Sequence, residues 1–384
     1  MSSRKVVRSR ATSESSETAV AGNVKWEFSN STLGYSYGPA VVTKTAQYGW
    51  VVILTSGYDN SDGVGRFYFL DPKTGTLLQT VSTGVGSAST PSGLAFATPY
   101  VSDYSVGTAD ALYAGDLLGN VWRVDMTPKT GSYSVFQIAR ATDSGGVAQP
   151  ITTRPLVEQA GANSAYRFVV VGTGKTLAST DITSSQTNTI YTIYDGLAPS
   201  GGFLTTPNTG TYPVTRQQAG QLIQNTNITT QNASINTGIA IATPPVKMGW
   251  YVDLTPAAIP GLTAPAAGYA YQVDVQSSAN NGIAGFGINA ASGSACSPAG
   301  IGAILAFSIA GGASVLDAST SGAYMATSRV SDVTFYNNNS TGIGIAAGVA
   351  NPNDPSPIKQ PPCSGCAPPS TIQKLNWREI PSAN

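Results

Sequence analysis

The chain has 384 residues, with 20 Lys and Arg against 20 Asp and Glu, so its formal net charge is zero and its charged fraction is 10%, under half the ~25% of an average soluble domain. That neutrality argues against a nucleic-acid-binding protein and against an acidic solvating tail. It also has no histidine, which removes Ser/His/Asp and Cys/His nucleophile systems, histidine general bases, proximal haem ligation and His-containing zinc sites.

In chain order, residues 1–22 carry Arg4, Lys5, Arg8 and Arg10 with no apolar core behind them. They read as a disordered basic and polar tail, not as a secretory signal peptide. No run of eighteen apolar residues follows, so no transmembrane helix is expected. The 42 Gly and 24 Pro separate short Val, Ile, Tyr and Thr runs, the composition of many short strands joined by turns.

The clearest unit is WVVILTSG (50–57), RFYFLD (66–71), the turn PKTG and TLLQTVSTG (76–84). A second is DALYAGD (110–116) with VWRVDM (121–126), and a third is YRFVVVGTG (166–174) with NTIYTIYDG (188–196). A fourth pairs GWYVDL (249–254) with AYQVDV (270–275), and a fifth GAILAFS (302–308) with ASVLDAS (313–319). Strands end on Asp and a glycine-containing turn, because Asp bonds turn amides and Gly takes positive φ. Such imperfect repeats predict an all-β fold with four-stranded sheets arranged radially, a β-propeller in preference to a sandwich. Residues 198–245 are Thr, Asn and Gln rich and read as a long polar insertion, with a short helix expected at Gln217–Ile228. Residues 351–384 read as a Pro-rich C-terminal strap ending in a closing strand, KLNWREI (374–380).

Several motifs invite chemistry. VVVGTGKT (169–176) mimics a phosphate loop, but Val169 stands where the first glycine belongs, so a blade turn is expected. Cys363-Ser364-Gly365-Cys366 lies between prolines and reads as a local structural disulfide, with a reduced pair or a link to Cys296 as alternatives, ahead of redox catalysis. Three cysteines without histidine do not complete a structural zinc site. Two acidic loops offer oxygens to calcium, Asp59–Gly63 and Asp103–Asp110. The first is read as a solvated hairpin turn. Tyr35, Tyr37, Trp50 and Trp122 are expected to pack blades and not to stack sugars.

An ordered set of segments carries a resemblance: VKWEF (24–28), LGYSYGPAVV (33–42), GWVVILTSGYDNSDG, LDPKTG, ALYAGDLLGNVWRVDM, ITTRP (151–155), VVVGTGK, KMGWYVDL and NWRE. Together they resemble the C-terminal β-propeller of the PilC/PilY family of type IV pilus biogenesis factors and tip adhesins of Gram-negative bacteria. The resemblance runs from about residue 24 onward and implies a propeller over 23–350, modified and incomplete at its N-terminal side.

It further implies a secreted, non-enzymatic protein at the pilus tip or outer cell surface. Such a protein promotes assembly against retraction with minor pilins and contributes to adhesion to host or abiotic surfaces. The family's calcium loop, placed just ahead of the YAGD strand, falls here on Asp103, Ser105 and Asp110. That loop is one residue short and lacks the central aspartate, so calcium is expected to bind weakly if at all. Two rival readings stay open: a quinoprotein-like propeller dehydrogenase, suggested by the D-x-x-T-G turns, and a structural subunit of an extracellular filament.

Overall fold

The computed structural model describes residues 24–160, 166–197, 202–208, 210–230, 247–291, 300–316, 322–326, 328–338, 342–349 and 358–359. The first sheet is a meander of β1 (Val41–Thr45), β2 (Gly49–Thr55), β3 (Arg66–Leu70) and β4 (Leu77–Ser82). The second repeats it with β5 (Phe96–Tyr100), β6 (Ala111–Gly115), β7 (Asn120–Asp125) and β8 (Ser134–Arg140). The third has the order β12-β13-β11-β10-β9, from β9 (Leu156–Ala160), β10 (Tyr166–Gly172), β11 (Thr189–Leu197), β12 (Leu222–Gln224) and β13 (Gly249–Asp253). The fourth holds β14 (Ser278–Asn280), β15 (Ile283–Ala290), β16 (Ile301–Ser308) and β17 (Tyr324–Ala326). The fifth holds β18 (Val330–Asn338), β19 (Gly342–Val349) and β20 (Ile358–Lys359).

The first strands of successive sheets touch one another: β1 meets β5, β5 meets β9, β9 meets β14 and β14 meets β18. Sheets that share their inner edges in this way radiate like the blades of a propeller. Burial between blades explains the long apolar strands. Val51, Ile53, Phe67 and Phe69 of the first sheet meet Leu112, Ala114, Trp122 and Val124 of the second, and each such residue contributes roughly 1.5–3 kcal/mol when fully buried. The opposite face of the first sheet, Val52, Leu54, Tyr68 and Leu70, is covered by Trp26, Phe28 and Leu33. The LDPKTG turn forms for the expected reason: Asp71 Oδ1 accepts the N–H of Lys73 and Thr74, and Gly75 takes φ +71°.

Three sequence expectations are corrected. GWYVDL is β13 and pairs with β11 in the third sheet, while AYQVDV is not a strand. Its Tyr271, Gln272 and Val273 are all buried, but the segment pairs only through the bridge Gln272–Asn289, so an apolar alternation in the sequence is met by burial without a ladder. In the fifth unit β16 pairs with β15 and β17, and Ser314 makes a lone bridge to Phe307. Gln217–Ile228 forms turns and β12 in place of a helix. The Gln218 and Gln221 side chains bond backbone groups of Thr211, Pro213 and Thr215, and such bonds compete with helical ones. The tail, the KLNWREI segment and all three cysteines lie outside the described residues.

Candidate functional site

The loop after β5 is the expected calcium loop. Asp103 Oδ1 accepts the N–H (2.8 Å) and the hydroxyl (2.6 Å) of Ser105, and the Gly107 N–H returns to the Asp103 carbonyl at 2.9 Å, with Gly107 at φ +65°. This is a self-bonded Asx turn. The Ser105 hydroxyl, together with backbone amides, holds the Asp103 carboxyl below its usual range. Asp110 accepts the Ser102 N–H at 2.8 Å and lines a cavity with Asp125, apart from the turn that Asp103 and Ser105 make. Among the described residues no group of three or more His, Cys, Asp or Glu gathers to hold a metal. Calcium wants six to eight oxygens, and this loop offers two aspartates and one serine, with Asp103 Oδ1 already accepting from Ser105, so the residues present fit the ion poorly.

The cavity beside Asp110 has a volume of about 310 Å³ and is walled by Ser102, Asp110, Asp125, Arg123, Arg167 and Phe203, among others. Behind it, β7 contributes Arg123, β10 Arg167 and β11 Asp195, all buried. Arg123 forms an ion pair with Asp195 Oδ1, and the Tyr113 hydroxyl donates to Oδ2 at 2.6 Å. Arg167 donates to the backbone carbonyls of Asp195 (2.6 Å) and Leu197 (3.2 Å). The Phe203 ring lies 4.9 Å from the Arg123 guanidinium and 4.1 Å from that of Arg167. Burial pushes the Asp195 carboxyl and the Tyr113 hydroxyl up, the two arginines opposing it at both. Sequence reasoning missed this cluster, although its signal was present: an Arg or Asp interrupting a strand otherwise apolar on both faces, as in VWRVD, YRFVVV and IYDG.

The YAGDLLGNVW segment folds around Asp116, which is fully buried. Its carboxylate accepts from Ser92 Oγ (3.1 Å), Leu118 N (3.0 Å), Asn120 N (2.9 Å), Asn120 Nδ2 (2.9 Å) and Trp122 Nε1 (2.8 Å). Desolvation raises its pKa and these donors lower it. With every partner supplied by neighbouring strand ends and turns, the group fastens a blade and leaves nothing for a ligand. The phosphate-loop lookalike is likewise closed. Lys175 and the backbone amides that follow it bind the chain's own Asp181.

Trp122 is buried as expected, but Tyr35, Tyr37 and Trp50 are 46%, 69% and 60% exposed. The Tyr35 and Tyr37 rings stand 6.3 Å apart, and Tyr37 lies 5.9 Å from Tyr58. The face of the first sheet formed by Val52, Leu54, Tyr68 and Leu70 is covered by Trp26, Phe28 and Leu33 and not by Tyr35, Tyr37 or Trp50. The Asp59–Gly63 turn holds Asp62 against Arg66, not a cation site.

Comparison with known proteins agrees with the architecture. The Pseudomonas aeruginosa (strain UCBPP-PA14) type IV pilus biogenesis factor PilY1 is 28% identical over 260 residues, covering 59% of this chain and 22% of that protein. A PilY1 homolog of Xylella fastidiosa is 25% identical over 255 residues, covering 60% and 16%. The chain thus matches less than a quarter of the length of these relatives. The crystal structure of the Pseudomonas aeruginosa PilY1 C-terminal domain superimposes with a TM-score of 0.60 at 19% identity, covering 85% of this chain and 73% of that one, which shows a shared fold. A family model for the PilY1 β-propeller domain matches residues 17–234. Because that match spans more than half of a chain whose sheets radiate as a propeller's do, the chain belongs to the PilY1 β-propeller family.

Proposed function

We propose that this chain acts in type IV pilus biogenesis as a non-enzymatic interaction module. It promotes fibre assembly against retraction, contributes to adhesion to host or abiotic surfaces, and works with minor pilins at an extracellular pilus tip after export through the periplasm. The observation that carries this reading is the family match over residues 17–234. The naming of its relatives as pilus biogenesis factors supports it. The described chemistry is in keeping with it: the buried Asp116, Asp181 and Asp195 are all spent on holding strands and loops together. A rigid blade scaffold leaves recognition to loops. No helix among the described residues is long and apolar enough to cross a membrane. Calcium, if it acts at Asp103, Ser105 and Asp110, does so with carbonyl and water oxygens completing the shell.

The test is to delete the gene, count surface pili with and without the retraction machinery, and probe sheared pili for the chain. Expected are fewer pili in the deletion, recovery when retraction is disabled, and co-purification of the chain with minor pilins. Unchanged piliation together with absence from the sheared fraction would refute the proposal.

A further inference from the structure

We propose that the loops following β2, β6 and β10 form a binding site for a neutral oligosaccharide. The proposal rests on the adhesion reading for its use at a surface, but its test is made on the purified chain, apart from any count of pili. Tyr58, Leu117 and Lys175 stand in these loops, each after the second strand of one of the first three sheets, so they gather at one end of the propeller. Leu117 and Lys175 line a cavity of about 490 Å³ with Thr180, Ser184 and Gln186, among others. That volume lies within the ~300–1,000 Å³ typical of small-ligand sites.

The lining is held in place and its charges cancel. Gln186 Nε2 donates to Asp143 Oδ2 (3.0 Å) and to the Ala148 carbonyl (3.1 Å), and Lys175 pairs with Asp181. What is left over is mixed. Gln186 is half-buried, and its Oε1 meets no donor among the described residues. Lys175, 38% exposed, pairs with Asp181 Oδ1 and has three N–H groups to give. Ser184 Oγ accepts the Gln186 N–H at 3.4 Å and keeps its own O–H, and the hydroxyl of exposed Thr180 is unbonded among the described residues. An ion entering here meets the wrong half of the Lys175–Asp181 pair as well as the right one. A sugar hydroxyl both donates and accepts, which suits the mixture, while Leu117 and Pro150 offer apolar surface to the C–H face of the ring.

The tyrosines extend the site. A Cβ on Gly93 would lie 2.5 Å from Leu117 Cδ1 and 3.1 Å from Tyr58 Cδ1, so those two side chains adjoin. Tyr37 packs on Tyr58 at 5.9 Å and stands 6.3 Å from Tyr35, and the rings of Tyr35 and Tyr37 are both exposed. Backbone hydrogen bonds of 2.7 Å and 3.0 Å pin Tyr35 to Tyr58, so little freedom is lost when a ligand settles on this pair. Each ring gives a sugar residue an apolar face and a phenol at its tip. A glycan whose end occupies the cavity thus continues past Leu117 onto Tyr37.

The experiment applies the purified chain to an array of neutral, sialylated and sulfated glycans. The strongest neutral binder is then titrated by calorimetry beside its terminal monosaccharide and a polyproline peptide, which could use the tyrosines but not the cavity. Expected is saturable binding of a neutral glycan with Kd below ~1 mM, not improved by sialic acid or sulfate. Tyr37→Ala, at an exposed ring, should weaken the oligosaccharide about fivefold, leave the monosaccharide unchanged and leave the urea midpoint unchanged. Thr180→Trp, at an exposed residue of the cavity wall, should abolish binding of both sugars, again at an unchanged midpoint. No saturable neutral glycan up to roughly 10 mM, a preference for the anionic glycans, tighter binding of polyproline, or indifference to either substitution would overturn the proposal.

Discussion

Lys175 Nζ lies 2.9 Å from Asp181 Oδ1, and the other oxygen of that carboxylate accepts the N–H groups of Leu177 (2.9 Å) and Ala178 (2.8 Å). A strand, a GTGKT turn and a lysine thus enclose an anion that the chain itself carries. Titration with ATP or inorganic phosphate should show no saturable binding. Asp181→Ala should lower stability by about 1.5–3 kcal/mol, because three donors lose a charged acceptor. Urea unfolding measures the second effect, and saturable nucleotide binding by the unaltered chain would contradict the first.

Asp116 is the acceptor for Trp122, Asn120 and Ser92 in the buried part of the second blade. Asp116→Ala strands these donors and should cost about 3 kcal/mol or more. Asp116→Asn, which keeps one oxygen, should cost less. The urea midpoint gives the ranking, and the Trp122 emission should shift to the red as its indole N–H loses its partner.

Gly75 sits at φ +71°, and a Cβ there would lie 2.5 Å from Trp26 Cδ2. Gly75→Ala should therefore dislodge Trp26 from the face formed by Val52, Leu54, Tyr68 and Leu70. The expected loss is roughly 1–3 kcal/mol from crowding and backbone strain. An unchanged urea midpoint and an unchanged tryptophan emission maximum would show that this N-terminal segment does not cap the first sheet.

Glu158, on β9, has its pKa raised from 4.5 to about 7 by burial, and Tyr104 is close enough to feel its charge. The folded chain holds this proton more tightly than the unfolded chain. The contribution favours folding fully below pH 4.5, is lost as pH rises to about 7, and stays flat above that. Glu158→Gln should flatten the profile and raise stability above pH 7 by at most ~3 kcal/mol. Urea midpoints of both chains between pH 4 and 8 check this.

At the Asp103, Ser105 and Asp110 loop, calorimetry should show calcium binding no tighter than ~10⁻⁴ M. Submicromolar affinity abolished by Asp110→Ala would mean that the Asx turn opens to accept the ion.

The strand-and-turn grammar was legible because it is local. WVVILT, RFYFL, ALYAG and YRFVVV become strands where the sequence places them, and the D-x-x-T-G turns close as their Asp and Gly dictate. The pairing of GWYVDL was not legible, since alternation of apolar residues is the same whether the partner strand is twenty residues away or sixty. AYQVDV shows the converse, a strand pattern met by burial alone.

The sequence by itself therefore determined an all-β chain, its family and most of its strands, since these follow from residue type and near-neighbour spacing. Only the tertiary structure decided that Asp110 and Asp125 line one cavity, that Asp181 fills the lysine turn, and that Arg123 meets Asp195 from 72 positions away. The last contact joins different blades, and radial packing sets such distances, not the spacing of residues along the chain.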